Sequence, residues 1–112
     1  MTIAEIKRLQ EDFDRAHAGS SEFYEKINDK NLHVLEHLIV CLVGEIGEFS
    51  NLIKKVHRGD IPLTEAKSSL DEEAVDMFIY LVKIINQFDV DIEHGFLNKL
   101  EKNRNRFLKY KK

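Results

Sequence analysis

A chain of 112 residues with a net charge of −3 can bury one hydrophobic core, not two, and exerts no bulk attraction on nucleic acid or an anionic membrane. One proline, five glycines and 33% charged residues, with Leu, Ile, Glu and Lys abundant, exclude a β-sandwich or a disordered tail. What remains is a single all-α domain over residues 1–112.

The first ten residues, MTIAEIKRLQ, lack the apolar core of a signal peptide. No apolar run approaches the ~18 residues of a membrane span, so the expectation is a cytoplasmic protein with no membrane partner. Thr2 and Glu5 form a capping-box pattern, and Ile3, Ile6, Leu9, Phe13 and Ala16 recur at helical spacing until Gly19. From Ser20 to Lys30 the periodicity weakens around Phe23, Tyr24 and Ile27, which predicts a loop with at most one helical turn.

Asn31 is placed to cap a second helix running from Leu32 through Leu35, Leu38, Leu42, Ile46, Phe49, Leu52 and Val56 to a stop at Gly59. Residues 38–43 are all apolar, so this helix is hydrophobic all round, and a small monomer cannot hide every face of it; a homo-oligomer is expected. Cys41, the only cysteine, excludes an intrachain disulfide and reads as a small core residue in a reducing compartment. After a short connection containing Pro62, Thr64 is placed to cap a third helix with Leu70, Val75, Phe78, Leu81, Val82, Ile85 and Phe88. Asp89 or Asp91 can cap a fourth, which has a thinner apolar stripe beside a basic face. The fold expected is four-helix-bundle-like, with helices two and three forming an antiparallel hairpin.

Glu45 and Glu48 interrupt the apolar run of helix two, and Glu73 and Asp76 repeat the three-residue spacing in helix three. Taking the turn as roughly residues 59 to 64, the first pair lies ~10 to 13 residues before it and the second ~9 to 12 beyond it. At ~1.5 Å per residue the pairs reach equal height, Glu48 opposite Glu73 and Glu45 opposite Asp76. Four carboxylates in apolar surroundings raise one another's pKa, and a divalent cation resolves the conflict. Ligation by oxygen alone points to Mg²⁺ first and Mn²⁺ second. Glu11/Asp14 and Glu22/Glu25 share the spacing but lie in polar stretches and read as solvated faces. Gly44 and Gly47 disfavour a helix interior and suggest close approach by a ligand or backbone.

GEIGEF at 44–49, EEAVDMFIYL at 72–81 and KLEKNRNRF at 99–107 resemble the MazG-like all-α nucleoside triphosphate pyrophosphohydrolases. The resemblance covers roughly residues 32–107. It implies a homodimer or homotetramer that holds Mg²⁺ on Glu45, Glu48, Glu73 and Asp76 and hydrolyses a (deoxy)nucleoside triphosphate to the monophosphate and pyrophosphate. It also places Lys99 and Asn103 at substrate-contacting positions, with Tyr80 one turn beyond Asp76. Lys102 and Arg106 fall close to the same basic face, and Lys55 lies seven residues after Glu48, hence on its face. Two departures stand out: Gly44 replaces an acid that precedes the first motif glutamate in the family, leaving Glu72 as a candidate, and there is no tryptophan of the kind that stacks the base in deoxycytidine-specific relatives. Phe23, Tyr24 and His37 are the available substitutes.

His33 and His37 share a helix face and invite a zinc reading, but no third ligand is evident at suitable spacing. His37 also stands eight residues before Glu45, about 12 Å along nearly the same face, where it can meet a base or sugar. The alternative to an enzyme is a non-catalytic nucleotide-binding or antitoxin-like helical interaction module. A nucleic-acid role would rest on the basic tail from Arg104 to Lys112 alone.

Overall fold

The computed structural model describes residues 1–17 and 24–112. Four α-helices follow in order, α1 (Ile3–Ala16), α2 (Leu32–His57), α3 (Leu63–Gln87) and α4 (Ile92–Arg106), closed by a 3₁₀ turn at Leu108–Tyr110. No strand occurs among the described residues. The all-α expectation holds, and α2 and α3 pack closely as the expected hairpin, with α1 lying against α3.

The caps follow the sequence in part. Thr2 Oγ1 accepts the Glu5 N–H at 3.1 Å, and Asp91 Oδ1 accepts the His94 N–H at 3.2 Å, opening α1 and α4. Asn31 stands at the N-cap of α2 as expected, but its side chain does not close the helix; its Oδ1 accepts the Asn28 N–H at 2.7 Å and its Nδ2 donates to Lys26 O at 2.8 Å, so it ties the incoming loop instead. Thr64 lies inside α3, because the carbonyl of Pro62 already accepts from Glu65 and Ala66 and starts the helix at Leu63. α1 ends at Ala16; Gly19, Glu22 and Phe23 lie outside the described residues.

The C-terminal ends of α2 and α3 are each set by a left-handed residue. Gly59 (φ 84°) turns the chain after α2, with Gly59 N–H bonding Val56 O at 3.0 Å and Asp60 N–H bonding Lys55 O at 2.9 Å, the paired closure of a Schellman motif. After α3, Asp89 (φ 54°) takes the same place, and Val90 N–H reaches back to Ile85 O at 2.9 Å. Asp89 is thus a helix terminator, and Asp91 is the cap.

The interior is thin. Leu38 of α2 and Ala66, Leu70, Val82 and Ile85 of α3 are the buried apolar residues, while Val40 and Val43 of α2 are 67% and 60% exposed and Val75, Phe78 and Leu81 of α3 also lie open. Among the described residues α4 does not pack along the hairpin; the Lys7–Glu93 ion pair at 3.3 Å joins its first turn to α1, and its other end meets its own C-terminal turn. The radius of gyration, 17.5 Å, exceeds the ~13 Å of a compact chain of this length. Within one chain the arrangement is a three-helix body with a projecting fourth helix, rather than a closed four-helix bundle.

One acidic reading changes. Asp14 is fully buried, its Oδ1 accepting from Lys83 Nζ at 2.9 Å and from Gln10 Nε2 at 3.0 Å, so Glu11/Asp14 is not a solvated pair. Glu11 accepts from Tyr24 Oη at 2.9 Å and pairs with Arg15, whose guanidinium lies 4.0 Å over the Tyr24 ring.

Candidate metal centre

The hairpin brings carboxylates from two helices together. Glu45 projects from α2, Glu73 and Asp76 from α3, and one oxygen of each lies within 4.8 Å of the others. Glu73, Asp76 and Tyr80 follow one strip of α3, since positions three or four apart share a helix face. Glu48 is more exposed and stands beside Glu73, which therefore meets both acids of α2 rather than Glu48 alone.

The electrostatics record this crowding. Glu73 is pushed up to about 7 from an ordinary 4.5, first by the Glu45 carboxylate close to it, with which it can share a proton, then by burial, then by Glu48. Oε2 of Glu45 and Oε2 of Glu73 are buried and have no hydrogen-bond partner among the described residues. Buried polar atoms without partners are costly and rare in folded proteins. Two such oxygens facing a third carboxylate form a donor set that a divalent cation satisfies, and the absence of nitrogen or sulfur in it suits a hard ion.

Tyr80 adjoins the cluster. Its hydroxyl is pushed above the ordinary tyrosine value by burial, then by Cys41, with Glu45 and Asp76 adding their charge. It stays protonated and can donate a hydrogen bond toward the acids. Its ring lies 5.8 Å from Lys83 Nζ, near the outer limit of a cation–π contact.

The remaining candidates are spread out. His37 is exposed on α2, one turn from Cys41, and Lys55 is half-buried near the end of the same helix. Lys99, Lys102 and Arg106 are exposed and Asn103 half-buried on α4, which does not run along the hairpin, so a single chain does not gather these four at the acids. Glu72 is exposed and stands outside the converging three. A Cβ at Gly44 or Gly47 would meet nothing within 4 Å; neither glycine serves a close approach inside the chain.

Two features escaped the sequence reading. Cys41 is half-exposed rather than core, and its Sγ lies 3.6 Å from His37 Nε2. The signal was the i, i+4 spacing of His37 and Cys41. The Asp14–Lys83 pair spans 69 positions and left no local pattern.

Residues 33–109 match the family described as the MazG nucleotide pyrophosphohydrolase domain. Among curated proteins the chain is 32% identical over 102 residues to dCTP pyrophosphatase 1 of Homo sapiens and 33% identical over 101 residues to that of Bos taurus. Each match covers 87% of this chain and 58% of the relative, so the chain spans little more than half the length of these mammalian proteins. The Gene 37 protein of Mycobacterium phage L5 is 32% identical over 77 residues, 64% of this chain and 68% of that one. No solved structure gives a significant match. The matched segment contains both acidic pairs, the turn between them and α4; the chain belongs to the MazG nucleotide pyrophosphohydrolase domain family.

Proposed function

We propose that this protein is a divalent-cation-dependent nucleoside triphosphate pyrophosphohydrolase that releases pyrophosphate from a (deoxy)nucleoside triphosphate, leaves the monophosphate, and serves nucleotide-pool housekeeping in the cytoplasm. The observation that carries the proposal is the convergence of Glu45, Glu73 and Asp76, with Glu48 beside Glu73, on one apolar hairpin.

The partnerless oxygens of Glu45 and Glu73 fit a bound cation, and Glu45, Glu48, Glu73 and Asp76 would hold it, Mg²⁺ before Mn²⁺. When bound, that ion supplies charge neutralisation for the phosphates and lowers the pKa of water. The chain's own groups do the rest. The four acids fix where phosphate charge can be tolerated, since a bare triphosphate would be repelled by them. Tyr80 holds its proton and offers a donor at the edge of the acids, while His37, farther along α2, is placed for the base or sugar. Lys55 is placed beyond Glu48 on the same helix.

The open apolar faces of α2 and α3 and the projecting α4 support a homodimer or homotetramer. Gly44 and Gly47, free of any neighbour in their own chain, leave room for a second copy to approach α2 closely. In such an assembly α4 covers an acidic cluster, and Lys99, Lys102, Asn103 and Arg106 supply positive charge and hydrogen bonds to the phosphates.

The test is pyrophosphate release from a panel of canonical and modified nucleotides with Mg²⁺ or Mn²⁺, dCTP included because of the relatives' names. Turnover of at least one substrate, abolished by EDTA and by Glu48→Gln, is expected. No turnover across the panel, with tight nucleotide binding by calorimetry, would replace the enzyme by a nucleotide-binding module.

A further inference from the structure

Glu73, Asp76, Tyr80 and Lys83 follow one another along α3 at intervals of three, four and three residues, a strip about 80° wide. Its first two members meet α2 and its last meets α1, where Lys83 Nζ lies 2.9 Å from Asp14 Oδ1. Tyr80 stands between the two contacts. The same Lys83 Nζ lies 5.8 Å from the centre of the Tyr80 ring, while the hydroxyl at the far end of that ring stands beside Cys41 and feels the charges of Glu45 and Asp76. One side chain of α3 thus joins a buried carboxylate of α1 to the aromatic residue at the edge of the acids.

Stability alone does not account for that ammonium. A buried ion pair is often matched or bettered by two well-packed apolar residues, and this one leaves Asp14 Oδ2 buried with no partner among the described residues. What apolar residues would not supply is a fixed cation against the ring. A tyrosine in a helix has two χ1 settings open to it, near 180° and −60°, and exchange between them carries the hydroxyl across the helix face. A lysine holds one setting only when its own flexible stem is held. Asp14 does this: it is fully buried and takes a second hydrogen bond from Gln10 Nε2 at 3.0 Å. The Lys83 side chain is only 12% exposed, so solvent screens its contacts little.

We propose that Lys83, anchored by Asp14, is a positioning residue that holds the Tyr80 ring in one rotamer and so keeps its hydroxyl at the edge of the acidic cluster. α1 adds no carboxylate to that cluster, yet through Asp14 it sets a group of the site. The part played by the hydroxyl in turnover rests on the reading given under Proposed function, whereas the restraint on the ring does not.

The double variant Asp14→Leu/Lys83→Met of the full chain tests this, because it removes the cation while leaving α1 and α3 an apolar contact. By NMR, the three-bond Hα–Hβ couplings of Tyr80, assigned by their loss in Tyr80→Phe, should report one χ1 setting in the unaltered chain and an average of two in the double variant. That measurement needs no substrate, so it separates this inference from the assignment of the activity. On a substrate that is turned over, the double variant should lose about 10- to 100-fold in kcat with KM changed less than about threefold. In a Tyr80→Phe background it should lose nothing further. Asp14→Asn, which keeps the shape of the buried side chain but releases Lys83, should give the same averaging and serves where the double variant does not fold. Averaged couplings in the unaltered chain, couplings that the variants leave unchanged, full kcat in the double variant, or an equal loss on top of Tyr80→Phe would each reduce the pair to a structural contact and overturn the role.

Discussion

Lys83 of α3 reaches Asp14 of α1 with Nζ 2.9 Å from Oδ1, and the carboxylate it meets is completely buried. Burying a carboxylate is tolerable only when a counter-charge and hydrogen bonds accompany it, and here Lys83 and Gln10 provide both on one oxygen. The pair is what fastens α1 to the hairpin, together with the bond from Asn86 Nδ2 to Lys7 O at 2.9 Å. Lys83→Met should leave Asp14 buried without its cation and cost about 3 to 5 kcal/mol, read as a lower urea midpoint. Replacing both residues by apolar ones of similar size should recover much of that loss, and equal losses in the single and double variants would show that the pair contributes no such coupling.

The acids carry a different prediction. Glu45→Gln, Glu48→Gln, Glu73→Gln and Asp76→Asn should each lower pyrophosphate release by about 100-fold or more, as removal of a group that stabilises developing charge does. The fold should survive in all four. In metal-free protein above about pH 7, Glu73→Gln should raise the melting temperature, because there it removes a charge from beside Glu45 and Glu48. A variant that loses activity only because it unfolds would contradict this assignment.

Stability should also depend on pH in a particular direction. In the folded, metal-free chain Glu73 keeps its proton up to about 7, whereas in the unfolded chain it loses it near 4.5. Between those values the folded state binds more protons, so stability falls as pH rises through that window and levels off above it. Thermal melts in EDTA from pH 4.5 to 8 should show the decline, and Glu73→Gln should flatten it. Mg²⁺ should restore more stability above the window than below it, where it must compete with the proton.

The exposed valines of α2 allow a test of assembly. Val40→Glu or Val43→Glu places a charge on the open apolar face, away from the acids. Sedimentation velocity should report a dimer or tetramer for the unaltered chain and a monomer for the variant, with loss of turnover in parallel. An unaltered chain that sediments as a monomer at assay concentration would remove the interface.

Much of this could be read from the residues alone. Helical periodicity located four helices, Gly59 marked the turn, and counting outward from it brought Glu45 together with Glu73 and Asp76, because a rise of fixed length along two antiparallel helices leaves little freedom in height. Rotation about each helix axis is less constrained, which is why Glu73 faces both acids of α2. Asp14 misled because local polarity says nothing about a lysine 69 positions away. Cys41 misled because residue type was taken for position: an apolar run that surrounds a helix cannot tell which of its members the chain itself covers. Asn31 and Thr64 show the same limit for caps, where a loop bond or a proline carbonyl outcompetes the side chain suited to the place.

The link between α3 and α4 has a consequence for how this helix is aimed. Asp89 adopts a left-handed backbone that costs an ordinary residue about 1 to 2 kcal/mol. Its side chain pairs with Lys26, whose Nζ also donates to Asn86 O at 3.0 Å. The loop before α2 therefore grips the pivot on which α4 leaves the body. α4 behaves as a lever with a latched fulcrum: Lys26→Ala or Asp89→Gly would leave the helix intact yet free its bearing, and an arm so released could serve its own hairpin or a neighbour's without choosing between them.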